Sequence, residues 1–243
     1  VVEPGRVIAI EGPSGAGKST VARTAARSFG WVLLPEAFDR LDPPPDLRFR
    51  NPAQLLDTER ALLDEERRRY QEASERRRRG ETVVADTGFL GPITYTAGLV
   101  ALGAAPRSTW RTVRRFAEGP ARSGPVGLPD LVVYLDVPSA TRRRRAASDA
   151  ERHPADLRQR HRAVGRVERR FYRDLAAHGA PGQVLFVRAS GSPRALAGRI
   201  RTLARSTSTR PSARTNLSTV LDRLGRLVRA PADRRRKRVA RHR

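Results

Sequence analysis

The chain is predicted to be an α/β protein with three layers, α/β/α, around a mainly parallel five-stranded sheet. Three observations predict it. Five short, largely apolar runs, at 7–10, 31–34, 82–85, 131–135 and 184–187, suit strands covered on both faces. Segments with helical spacing separate them, which implies parallel strands joined by right-handed crossovers. A glycine-rich loop directly follows the first run, and 243 residues suffice for one large domain with a sizeable core.

The elements follow in order. From Ser19 to about residue 28, Val21, Ala22, Ala25 and Ala26 keep helical spacing and Gly30 closes the segment. Residues 39–51 contain Pro43, Pro44 and Pro45 and predict an extended loop. Asn51 caps and Pro52 opens a long helix over 52–79 that stops at Gly80. Its arginines are read as a solvated charged face, because Asp64–Arg68, Glu65–Arg69, Glu72–Arg76 and Glu75–Arg79 are favourable i,i+4 pairs. A helical region over 91–118 should break near Gly103 and Pro106, and two helices, 139–147 and 155–178, separate the fourth strand from the fifth. A closing helix over 193–204 turns Leu196, Ile200 and Leu203 inward.

Residues 206–216 are rich in Ser, Thr and Pro and read as a linker, dividing the chain into a domain at 1–205 and a basic C-terminal tail at 206–243. Within the tail, Leu217, Val220, Leu221, Leu224, Leu227 and Val228 form the apolar face of an amphipathic helix, opposite Arg223, Arg226 and Arg229. Two readings stand side by side: the helix lies on an anionic membrane or nucleic acid, or it docks on the domain while the last residues stay disordered.

Net charge is +24, from 49 basic and 25 acidic residues, and residues 201–243 hold fourteen of the basic ones against two acidic. That favours an anionic partner for the tail. Only Lys18 and Lys237 are lysines, so most of the arginine is read as compositional bias. The absence of cysteine excludes disulfides and thiolate-held metal, and His153, His161, His178 and His242 form no ligand-spaced cluster. No apolar run approaches the roughly 20 residues of a membrane span. The run at 7–10 begins too early for a secretory signal, so a cytoplasmic location is expected.

Gly12, Pro13, Ser14, Gly15, Ala16, Gly17, Lys18 and Ser19 fit G-x-x-x-x-G-K-[ST] at every defined position, after a strand and opening a helix. This is a phosphate-binding loop (P-loop). Its glycines let backbone N–H groups converge on phosphate oxygens, and the helix dipole adds to the attraction. Lys18 is expected to reach the β- and γ-phosphates of ATP, Ser19 to offer a hydroxyl to Mg²⁺, and Thr20 to be a packing or helix-side residue one position beyond. No guanine-reading N-K-x-D is present, which argues against a GTPase.

With these residues in view, the chain resembles the thymidylate kinase and deoxynucleoside kinase branch of the P-loop kinases. The similarity lies in Ile8-Ala9-Ile10-Glu11-Gly12 with the loop, Val83-Val84-Ala85-Asp86 with Tyr95 beyond, the run from Pro129 to Val137, and Arg188-Ala189-Ser190-Gly191-Ser192-Pro193. It spans about residues 5–205 and implies a P-loop NTPase fold with a lid region. The resemblance assigns Glu36 as the carboxylate that accepts the acceptor-hydroxyl proton and Asp86 as the strand-end acid near Mg²⁺ and acceptor. It likens Arg142 to Arg145 and Arg152 to the lid arginines, of which Arg144 and Arg152 are selected. Phe89 and Tyr95 would line the acceptor pocket or simply pack. The resemblance also implies a homodimer.

Two departures bear on the acceptor. Thr87 stands where the family has Arg after the strand-end acid, and Leu34-Pro35-Glu36 replaces the Arg-Glu-Pro of thymidylate kinases. A dianionic acceptor would lack its clamp unless Arg48 or Arg50 supplied one, which favours an uncharged hydroxyl. The expected activity is an ATP- and Mg²⁺-dependent phosphotransferase acting on a nucleoside or nucleoside-like small molecule. The alternatives are a nucleoside monophosphate kinase and a nucleic-acid-associated P-loop ATPase.

Overall fold

The computed structural model describes residues 5–123, 128–147, 155–179, 182–207 and 217–229. Its sheet is built from β1 (Val7–Glu11), β2 (Val32–Leu34), β3 (Val83–Asp86), β4 (Leu131–Asp136) and β5 (Val184–Arg188). The strands run parallel in the order β2-β3-β1-β4-β5. Each expected strand is present within a residue or so. The registers set Ile10 opposite Asp86 and Glu11 opposite Tyr134, so the first loop emerges in the middle of the sheet with acidic strand ends around it.

Side chains alternate across the sheet, as its period of two requires. Ile8, Ile10, Leu131, Val133 and Leu135 face a core shared with Val21 and Ala22 of α1 (Lys18–Phe29) and with Leu196 and Ile200 of α8 (Pro193–Ser206). Val132, Tyr134 and Val184 face the opposite core, built with α3 (Pro52–Arg78), α4 (Leu90–Ala101), α5 (Arg107–Ser123) and α7 (Ala155–Asp174). The expected three layers are therefore present.

Local chemistry sets the helix ends. The Asn51 carboxamide oxygen accepts from the Gln54 N–H at 2.9 Å and Pro52 follows it, while the Ser192 hydroxyl accepts from the Ala195 N–H at 3.2 Å. The expected break near Gly103 and Pro106 falls between α4 and α5. Two details differ. A short helix, α2 (Ala37–Arg40), precedes the proline-rich loop, and α7 passes into a π-helical segment at Leu175–Gly179.

Helix α9 (Leu217–Arg229) packs on the domain. Leu217, Val220, Leu221, Leu224 and Val228 are buried in the core with Trp110, Val113 and Leu175, and Leu227 packs against its edge. Asp222 pairs with Arg114 at 2.7 Å, and Arg223 pairs with Asp174 at 3.0 Å and donates to the His178 carbonyl at 2.8 Å. The docked reading of this helix is the observed one. The arginine run at 234–238 lies outside the described residues.

Candidate active site

The site lies at the carboxyl ends of the strands, where α/β sheets of this kind bind ligands. Its first part is the loop from Gly12 to Lys18. Gly17, with φ +90°, begins α1 without a side-chain cap, so the first N–H groups of that helix remain available to an anion. Gly12 has φ +144°, and a Cβ there would sit 3.0 Å from the Leu135 carbonyl oxygen, so the chain can turn at this point only without a side chain. Ser14, Gly15 and Ser19 are partly exposed, Pro13 and Ala16 are buried, and Thr20 is exposed on the first turn of α1.

Four carboxylates surround the loop's lysine. Burial opposes the charge on Lys18, yet Glu36, Asp86, Glu168 and Glu11 together outweigh it and raise its pKa. Glu36 starts α2 just after β2, and its carboxylate accepts from the Thr87 hydroxyl at 3.4 Å. Burial pushes the Glu36 pKa up, Lys18 pulls it down, and Asp86 and Asp39 push it up again. Asp86 ends β3; it is buried, and its Oδ1 has no partner among the described residues. Thr87 holds φ +62°, an uncommon conformation for a β-branched residue, with its N–H donating to the Ile10 carbonyl at 3.1 Å. Lys18, Glu36 and Asp86 thus act on one another's charge at the carboxyl edge of the sheet.

The lid side divides the expected arginines. Helix α6 (Ser139–Ala147) lies across the loop, where Arg145 donates to the Ala16 carbonyl at 2.9 Å and Arg142 faces Glu168. Arg144 is exposed, and Arg152 lies outside the described residues. A cavity of about 930 Å³ opens between the loop, α6 and α7. Ser14, Arg142, Gly165, Arg166, Arg169 and Arg188 are among its lining residues. Asp136, at the end of β4, is held there by Arg169 at 2.6 and 2.7 Å, and this pairing keeps its carboxyl below the ordinary range.

Several residues of the site were not expected. Arg69 of α3 is fully buried and reaches under the strand ends. It pairs with Glu66 and donates to the carbonyls of Leu34 at 3.3 Å, Asp86 at 3.0 Å and Thr87 at 3.0 Å. This corrects the reading of α3 as a solvated face. Glu59, Glu65, Glu66 and Arg69 are buried, Arg68 pairs with Glu65, and Arg67 pairs with Asp64; only Glu72–Arg76 keeps its expected i,i+4 partner. Glu11 is buried and accepts from the Gly88 N–H at 3.0 Å, and burial raises its pKa to about 8. Glu168 lies near Lys18, Arg142 and Glu36, and burial raises its pKa to about 7.

Where an acceptor pocket was expected, Tyr95 packs, as Phe49 does, against Leu55, Leu99 and Val164 and meets His161 edge-on at 5.6 Å, with its hydroxyl facing Arg160. Arg160 also donates to the Leu47 carbonyl at 3.1 Å, fastening the proline-rich loop to α7. Phe89 is buried in the main core. Arg48 is exposed and paired with Asp46, and Arg50 is exposed.

A phosphate-binding loop in the middle of a parallel sheet, beneath a helix carrying arginines, defines a P-loop protein of the deoxynucleoside kinase-like fold. The chain belongs to the family described as AAA domain, whose model matches residues 7–181. Among solved structures it is similar to deoxyadenosine kinase from M. mycoides with bound dATP, at 17% identity and TM-score 0.66, covering 83% of this chain and 100% of that one. The same kinase with the products dCMP and a flexible dCDP matches at 18% identity and TM-score 0.63, covering 82% of this chain and 99% of that one. No curated protein matches the chain. No helix among the described residues is long and apolar enough to cross a membrane.

Proposed function

We propose that this chain is an ATP-dependent small-molecule kinase that transfers the γ-phosphoryl group to an uncharged hydroxyl of a nucleoside or nucleoside-like acceptor. The observation that carries the reading is the trio Lys18, Glu36 and Asp86, brought together from three separate elements at the sheet's carboxyl edge. The loop amides and Lys18 bind the β- and γ-phosphates. Glu36 accepts the proton of the acceptor hydroxyl as its oxygen bonds to the γ-phosphorus and the bond to the ADP oxygen breaks. Burial raises the Glu36 carboxyl against the pull of Lys18, which makes it a stronger base than an exposed carboxylate. The Thr87 hydroxyl orients that carboxylate, and Arg142 and Arg145 stabilise the charge on the group in transit.

Magnesium fits the donors present: the orphaned, buried Oδ1 of Asp86 lacks the partner that a cation would supply, and Ser19 offers a hydroxyl. Bound Mg²⁺ would neutralise charge on the phosphates.

The uncharged acceptor is supported by where the nearby cation goes. Arg69 is committed to Glu66 and three carbonyls, Thr87 carries no charge, and Arg48 already has a carboxylate partner. An acceptor phosphate would meet the carboxylates of Glu36, Glu66 and Asp86, which repel it. The test is ADP formation from ATP and Mg²⁺ with pooled acceptors, run beside Lys18→Ala. Acceptor-stimulated turnover that falls by at least about a hundredfold in a folded Lys18→Ala variant is expected. Unchanged turnover in that variant would remove the reading.

A further inference from the structure

Helix α7 approaches the phosphate loop unusually closely. A Cβ at Gly165 would sit 3.0 Å from Cβ of Pro13 in the loop, 3.2 Å from Nη1 of Arg142 in α6, and 3.8 Å from Oε2 of Glu168 one turn further on. One glycine therefore marks the point where the loop, the lid helix and α7 meet. Glu168, three positions along, lies on the same face of α7. Its charge is felt by Lys18, Arg142 and Glu36, which lie on the donor, lid and acceptor sides of the site. Arg142 enters this junction with its Nε buried and without a partner among the described residues. A long cation with an unused donor has no fixed direction unless something nearby orients it.

We propose that Glu168 is a positioning residue of this site, its charge drawing Arg142 toward the phosphoryl group in transit, and that Gly165 is the gap that lets it do so. The idea rests on the kinase reading for what is transferred. Glu168 acts through Arg142. Substituting Glu168→Gln keeps the side chain's size and removes its charge, while Glu168→Asp keeps the charge and shortens the reach. Gly165→Ala adds a methyl group against Pro13 and Arg142.

The test combines a kinetic cycle with a direct view of Arg142. In Glu168→Gln, kcat should fall by about tenfold to a hundredfold with ATP affinity little changed, as misplacement of a catalytic group predicts. Glu168→Asp should recover part of the loss, and Gly165→Ala should reproduce it. Glu168→Gln combined with Arg142→Ala should be no slower than Arg142→Ala alone, since both remove one interaction. Independently of turnover, the Nε–H resonance of Arg142, identified by its loss in Arg142→Lys, should be resolved in the parent protein and averaged in Glu168→Gln. Wild-type kcat in Glu168→Gln, multiplicative losses in the double variant, or an unaltered Arg142 resonance would each overturn the proposal. A parent protein that transfers phosphate to no acceptor would overturn the kinase reading, while the Arg142 resonance would still decide whether Glu168 orients that arginine.

Discussion

Arg69 shows how far one side chain can determine a site. Its guanidinium joins the ends of β2 and β3, from which Glu36 and Asp86 depart, and its charge is balanced by Glu66. Arg69→Met should cost about 3–5 kcal/mol, because Glu66 would be left buried and uncompensated. Urea unfolding measures this, and a loss near zero would mean that the strand ends hold themselves. Glu36 carries a kinetic prediction. In Glu36→Gln, kcat should drop by about a hundredfold or more, and the acid limb of the parent pH–rate profile should lie above 4.5, since burial raises this carboxyl. The P-loop residues were legible in the sequence because backbone geometry fixes glycine, lysine and serine at set spacings. Glu11, Glu66, Arg69 and Glu168 were not, because helical spacing cannot distinguish a charge facing water from one pointing under a sheet edge. Their burial is decided by where α3 and α7 cross the strand ends.

At the level of elements, α9 is the clearest case. Its period of apolar residues is plain in the sequence, but what covers that face is a tertiary fact, supplied by Trp110, Val113 and Leu175. Leu221 is fully buried there, so Leu221→Ala should destabilise the protein by about 2–5 kcal/mol. The same cost is not expected at Arg226, on the opposite face. Chemical denaturation of the two variants separates a docked helix from one that merely lies nearby. The five strands were legible for the opposite reason: an apolar run long enough for a strand and too short for a helix, followed by a turn, leaves few alternatives. Helix α2 escaped notice because four residues give too little period to detect.

Among the described residues more carboxylates than cations are buried, and this gives the stability a direction with pH. Burial raises the carboxyls of Glu11 and Glu59 to about 8 and those of Glu66 and Glu168 to about 7, from 4.5. The folded state therefore binds more protons than the unfolded one between these values, and stability should decline as pH rises from about 4.5 to 8. Glu59→Gln should flatten part of that slope, because burial raises its carboxyl and the nearby Thr96 hydroxyl opposes that rise only in part. Thermal melts across this pH range give the answer, and a slope unchanged by the substitution would refute the assignment. The central claim concerns what the acidic pocket accepts, and the direct measurement is kcat/KM for nucleosides against their 5′-monophosphates with ATP and Mg²⁺. The account predicts that the uncharged compounds are preferred and the monophosphates are poor acceptors. A preference for the monophosphates, or ATP hydrolysis stimulated by polynucleotide with no phosphate transferred, would contradict it.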